Sequence, residues 1–187
     1  MKKPTPKRKT QKPKTLKKSV PRAAARRTDD LTIGLRKILV PIDFSDHSKK
    51  ALRYALPFAL QFKAELELMY VVEPTIYPSD FGFGQVGFPD VEKELHEKAK
   101  AELQELLKTT VPAAITATSV VSTGIPFVEI TTYAQAENID LIIVATHGRT
   151  GVEHILFGST AEKIIRKAPC PVLVVRAEEH DFINERA

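Results

Sequence analysis

From Leu35 onward, short apolar runs alternate with stretches whose apolar residues recur at helical spacing. Lys37-Ile38-Leu39-Val40 reads as a buried strand ended by Pro41. Ser45 is placed to cap a helix whose Ala51, Leu52, Ala55, Leu56 and Ala59 share one face. Pro57 falls inside that pattern and is expected to kink the helix or end it early. Residues 66–72 form a second predicted strand. A long loop then leads to Asp90, the expected cap of a helix carrying Val91, Leu95, Ala99, Leu103, Leu106 and Leu107. Residues 116–121 predict a third strand, more polar and therefore nearer a sheet edge. Pro126 opens a short helix with Phe127, Ile130 and Ala134 on its inner side. The run 141–144 is apolar throughout, as a central strand should be. Ser159 and Glu162 have the spacing of a capping box before a helix that packs Ala161, Ile164, Ile165 and Ala168. A last strand over 172–175 closes the series. Strict alternation of strand and helix implies an α/β fold: an open, doubly wound, five-stranded parallel sheet, Rossmann-like and covered on both faces.

Charge divides the chain differently. Residues 1–27 hold twelve Lys and Arg and no acid, whereas 28–187 carry a net charge of −7. The first 30 residues, with scattered apolar positions and no aromatic one, cannot offset the entropy of ordering and are expected to form a disordered basic tail. Residues 35–176 are the expected α/β domain, and 177–187 a short polar C-terminal tail. The basic tail has no apolar run of the secretory kind, and no segment of the chain has the length of a membrane span. Cys170 is the single cysteine, which excludes an internal disulfide framework and fits a reducing, cytoplasmic location. For the tail two readings stay open: a polyanion-binding arm for nucleic acid or an acidic partner, or a solubilising and docking segment.

In a doubly wound sheet, ligands sit beyond the carboxyl ends of strands, where the strand order reverses. The loop after strand one, Pro41-Ile42-Asp43-Phe44-Ser45, lacks the glycines of a dinucleotide turn. Gly82-Phe83-Gly84-Gln85-Val86-Gly87 has G-x-G-x-x-G spacing, but Glu73 to Phe81 separate it from a strand and Phe88-Pro89 from a helix. It lacks the strand–turn–helix context that gives the fingerprint its meaning. The loop after strand four is the better phosphate candidate. It runs from Ala145 through His147, Gly148 and Arg149 to Gly158-Ser159-Thr160 at a helix start, where free N–H groups favour an anion. The competing reading makes Ser159 a plain cap and the glycines plain turn residues.

These residues carry a resemblance. Ala145-x-x-Gly148, nine residues, then Gly158-Ser159 is similar to the G-x-x-G, nine residues, G-S/T motif of the universal stress protein family. The opening K-I-L-V-P-I-D-F-S, the run Met69 to Glu73 and the closing C-P-V-L-V-V-R resemble that family too, across about residues 35–176. The resemblance implies strand order 3-2-1-4-5, a homodimer through the last strand, and ATP, with Mg²⁺ where it is hydrolysed. Pro41, Ile42 and Asp43 would lie by the adenosine and Val71 near the base. Gly148, Gly158, Ser159 and Thr160 would hold the phosphates, with Arg149 neutralising charge. Ala145 replaces the first motif glycine, and its methyl can crowd the ribose–phosphate path.

No dedicated catalytic set emerges: Ser159 sits in no nucleophile elbow, and the histidines lack metal-ligand spacing. The expected function is a stress-response nucleotide sensor or signalling dimer, at most a slow ATPase. The alternative is a nucleotide-free dimeric interaction module whose basic tail docks on nucleic acid or an acidic protein.

Overall fold

The computed structural model describes residues 32–74, 89–147, 158–178 and 183. The chain divides into Met1–Ile33 and Gly34–Ala187, and the second unit carries all nine described elements. They run β1 (Lys37–Pro41), α1 (Asp46–Phe62), β2 (Glu65–Val72), α2 (Pro89–Thr110), β3 (Ala117–Thr123), α3 (Pro126–Ala136), β4 (Leu141–Ala145), α4 (Ser159–Lys167) and β5 (Val172–Val175). All strand pairs are parallel, in the order β3-β2-β1-β4-β5. The expected sheet is therefore present, with the polar β3 at an edge and β4 inside.

Alternation along each strand sorts side chains to two faces. Ile38, Val40, Leu66, Leu68 and Ile143 pack with Ala51, Leu52 and Ala55 of α1 and Leu103 of α2. Leu39, Met69, Ile142 and Val144 pack on the other side with Ile130 and Ala134 of α3 and Ile164 of α4. The chain winds outward from β1 in both directions, so β1 and β4 are neighbours whose connections diverge. Their carboxyl ends leave a cleft between them.

Several local expectations are corrected for identifiable reasons, among them an early end of α1 at Pro57. Helix α1 continues past Pro57 to Phe62. Pro57 and Arg53, whose carbonyl the proline cannot engage, both lie on the solvent side, where water can satisfy that oxygen. Helix α2 begins at Pro89, not after Asp90, because proline is pre-set for a first helical turn. Val91 and Leu95 are exposed rather than inward. At about 1.5 Å per residue α2 is roughly 33 Å long, against roughly 26 Å for β2, so its first turns overhang the sheet. Helix α4 is capped by Gly158 without a side-chain bond, so Ser159 lies inside the helix and the capping box does not form. Ile165 points outward, 41% exposed. The basic tail and the G-x-G-x-x-G run lie outside the described residues.

Candidate functional site at the ends of β1 and β4

Beyond Pro41 the pairing with β2 extends by one bond, from Ile42 N–H to the Met69 carbonyl (2.8 Å). Asp43 then turns the chain. Its Oδ1 accepts from the Ser45 N–H (3.0 Å) and the Ser45 hydroxyl (2.5 Å), an Asx turn. Ser45 Oγ in turn accepts from the Ser48 N–H (3.2 Å), which caps α1 as its sequence position predicts. Phe44 takes a left-handed backbone, φ 65°, and its ring packs at 5.1 Å from that of Tyr70. Asp43 is thereby fixed at the mouth of the sheet by three consecutive local constraints.

At the end of β4, Thr146 is 1% exposed and bonded on both sides. Its N–H donates to the Val175 carbonyl (2.9 Å), and its carbonyl accepts from the Gly158 N–H (2.7 Å). The second bond holds the start of α4 against the strand end. A Cβ on Gly158 would stand 3.3 Å from that same Thr146 oxygen, so the absence of a side chain permits the approach. The first bond within α4 runs from the Glu162 N–H to the Gly158 carbonyl. The N–H groups of Ser159, Thr160 and Ala161 are those that the helix itself cannot satisfy.

These pieces surround a cleft of about 330 Å³, within the range of small-ligand sites. Its apolar wall includes Ile42, Met69, Val71, Val144 and Ile164, while Asp43, Glu73, His147, Ser159 and Thr160 supply polar groups. Of the residues singled out from sequence, Pro41, Ile42, Asp43, Val71, Ala145, Gly158, Ser159 and Thr160 meet here. Gly148 and Arg149 lie outside the described residues. Sequence reasoning missed Met69, Pro126, Thr146 and Ile164 as lining groups. The place of Thr146 directly after an apolar strand and of Pro126 at a helix start were the available signals.

The shifted titratable groups fall elsewhere. Two residues before Met69 on the same face, Glu67 is 6% exposed and accepts from the Tyr133 hydroxyl at 2.5 Å. Burial, and then that bond, push the Tyr133 phenol well above its ordinary range. Lys37 Nζ lies 3.7 Å from Glu67 and 3.4 Å from Glu137. Desolvation works against its charge, but the Glu137 hydrogen bond and the nearby carboxylates outweigh it and hold Lys37 above its usual value. Burial likewise raises the Cys170 thiol, leaving less of the reactive thiolate.

Comparison with known proteins agrees with this architecture. Residues 34–176 match the model of the universal stress protein family. The universal stress protein MJ0531 of Methanocaldococcus jannaschii is 34% identical over 147 residues, covering 75% of this chain and 82% of the relative. YxiE of Bacillus subtilis, also a universal stress protein, is 29% identical, covering 75% and 98%. Among solved structures, the universal stress protein UspA from Lactobacillus plantarum superposes with a TM-score of 0.62 at 30% identity, covering 78% of this chain and all of that one. A universal stress protein solved in complex with cAMP shares the fold, with a TM-score of 0.54 at 21% identity, covering 78% and 100%. With a family model spanning its whole sheet and a relative alike over three-quarters of its length, the chain belongs to the universal stress protein family.

Proposed function

We propose that this protein binds an adenine nucleotide, ATP foremost, in the cleft between the ends of β1 and β4, and acts as a nucleotide-responsive sensor. The carrying observation is the pairing, in one cleft, of a fixed carboxylate at Asp43 with a helix N-terminus opened by Gly158. A carboxylate accepts from sugar hydroxyls, while unsatisfied N–H groups and the helix dipole attract phosphate. The apolar wall by Val71 suits the face of a base. Ser159 and Thr160 hydroxyls add donors to phosphate oxygens; Gly148 and Arg149, assigned to the phosphates by the motif alone, lie outside the described residues. That a universal stress protein of the same fold was solved in complex with cAMP supports this reading.

Signalling follows from a homodimer through β5. That strand is a sheet edge, and Val172, Leu173 and Val174 are half-buried within one chain. Pairing with a second copy would satisfy its backbone and cover them. Nucleotide occupancy then alters the surface offered to partners, with hydrolysis slow and Mg²⁺-dependent. The lone Cys170 suits a cytoplasmic setting. The basic tail supports a second reading, a nucleotide-free module docking on polyanions through residues 1–27.

Calorimetric titration with ATP and Mg²⁺ separates the two. Saturable binding that is lost in Gly158→Val supports the sensor. An absence of binding, together with salt-dependent polyanion binding lost on deleting residues 1–27, favours the docking module.

A further inference from the structure

Besides the Asp43 turn and the start of α4, the cleft has a third border. Pro126 and Ile130 of α3 line it together with Met69, Tyr70 and Val71 of β2. Pro126 opens α3, and that helix start has little ordinary support. Its N-cap, Ile125, offers no side-chain bond and is 60% exposed. The Val128 and Glu129 N–H groups both donate to the Ile125 carbonyl, at 2.9 and 3.0 Å.

A carboxylate reaching back to the sheet makes up for the missing cap. Glu129, in the first turn of α3, accepts from the Ser122 hydroxyl of β3 at 2.6 Å. Both side chains are half-buried, and a hydrogen bond to a carboxylate is about twice as strong as a neutral one. The turn between them is pinned as well. The Gly124 N–H donates to the Val72 carbonyl (2.9 Å), which carries the β2–β3 pairing past Thr123 and sets the turn beside the end of β2. Gly124 has φ 153°, and a Cβ on it would stand 2.6 Å from Glu129 Oε1 and 2.9 Å from Cδ. The glycine leaves the space that the carboxylate fills. A negative charge in a first turn also suits the helix dipole, but that effect needs neither a partner on β3 nor a vacated Cβ position.

We propose that Glu129 is a positioning residue for the base end of the cleft. Through Ser122 it fixes the start of α3, and with it the place of Pro126 and Ile130 against the end of β2. The proposal rests on the nucleotide reading above and extends it to the choice of base. A flat purine gains from dispersion contacts that fall away within a fraction of an ångström, so a wall held in place favours the large base over a small one.

The test compares the full-length parent with Glu129→Ala, Ser122→Ala and Glu129→Gln, whose amide oxygen can accept the same bond. Without nucleotide, the amide protons at positions 128 and 129 should exchange at least about tenfold faster in the two alanine variants and within about threefold of the parent in Glu129→Gln. Calorimetry should give ATP binding at least about tenfold weaker in both alanine variants and within about threefold in Glu129→Gln. The preference for ATP over UTP should fall at least about threefold in Glu129→Ala, whereas general destabilisation would lower both nucleotides alike. Circular dichroism checks each fold, and Ser122→Ala, which removes one half-buried hydroxyl, decides the matter where Glu129→Ala folds poorly. Unchanged exchange in the alanine variants, or fast exchange with unchanged ATP affinity and preference, overturns the proposal and leaves nucleotide binding standing. Equal losses in Glu129→Gln and Glu129→Ala reduce the residue to a dipole charge and overturn it too. No ATP binding in the parent overturns the nucleotide reading itself, and this proposal with it.

Discussion

The Gly158 N–H donates to the Thr146 carbonyl at 2.7 Å, and a Cβ on Gly158 would stand 3.3 Å from the same oxygen. Strand end and helix start are thus held together by one bond that tolerates little added volume. The Gly158 backbone, φ −64° and ψ 152°, is open to any residue, so substitution is opposed by space and not by torsion.

Gly158→Val should therefore fold, destabilised by about 1–3 kcal/mol as the start of α4 moves off the strand end. The same movement withdraws the N–H groups of Ser159 and Thr160 from the cleft, and ATP should bind at least about tenfold more weakly. Urea unfolding and calorimetry on one preparation measure both. Unchanged ATP affinity in a destabilised variant would remove α4 from the proposed nucleotide site.

Ala145 invites the opposite substitution. Its methyl is 8% exposed and belongs with Ile143 and Val175 to the core on the α1 side, although the residue also borders the cleft. Ala145→Gly supplies the glycine of the motif that the sequence resembles but removes packed surface and stiffens nothing. It should cost about 1 kcal/mol of stability and change ATP affinity by less than about threefold. A larger gain in affinity would mean that the methyl does obstruct the ribose–phosphate path.

The sheet was legible because its signal is distributed. Ile38, Val40, Leu66, Leu68, Ile142 and Val144 repeat the same alternation of strand and core in every unit, so one irregular residue cannot hide it. What escaped the sequence depends on single contacts. Whether Ser159 caps α4 turns on where the chain returns after the loop, and the Gly158–Thr146 bond sets that point one residue earlier. That α1 does not end at Pro57 is not legible in the sequence, because the cost of the proline depends on which way the freed carbonyl faces, a property of the solvent-facing side of α1. In the cleft, Asp43 and Gly158 stood out by residue type and position. Met69 and Ile164 did not, since a lining residue and a core residue have the same apolar identity.

The Glu67–Tyr133 pair makes a prediction independent of any ligand. The Glu67 carboxylate is 6% exposed, and the Tyr133 hydroxyl is its hydrogen-bond donor at 2.5 Å, with Lys37 farther away at 3.7 Å. Tyr133→Phe keeps the ring's packing but leaves a buried charge with less compensation. A loss of about 1.5–3 kcal/mol is expected, the range for hydrogen bonds to charged groups. Urea midpoints at neutral pH test it. A loss below about 0.5 kcal/mol would show that Lys37 or water takes over the carboxylate.

The same pair sets the alkaline limit of stability. In the folded chain the Tyr133 phenol is raised above its ordinary value, by burial first and by the Glu67 bond second, and Lys37 is raised as well. The fold therefore holds these protons more tightly than the unfolded chain, in which tyrosine and lysine titrate near about 10 and 10.4. Their contribution is complete below about pH 10 and is lost as pH rises through the raised folded values. Unfolding midpoints should stay level from neutral pH to about 9.5 and fall above it. Tyr133→Phe begins from lower stability but should decline less steeply, because the phenol proton no longer distinguishes the two states. If both proteins lose stability in parallel above pH 10, the alkaline transition belongs to other lysines and the Tyr133 proton is not held by the fold.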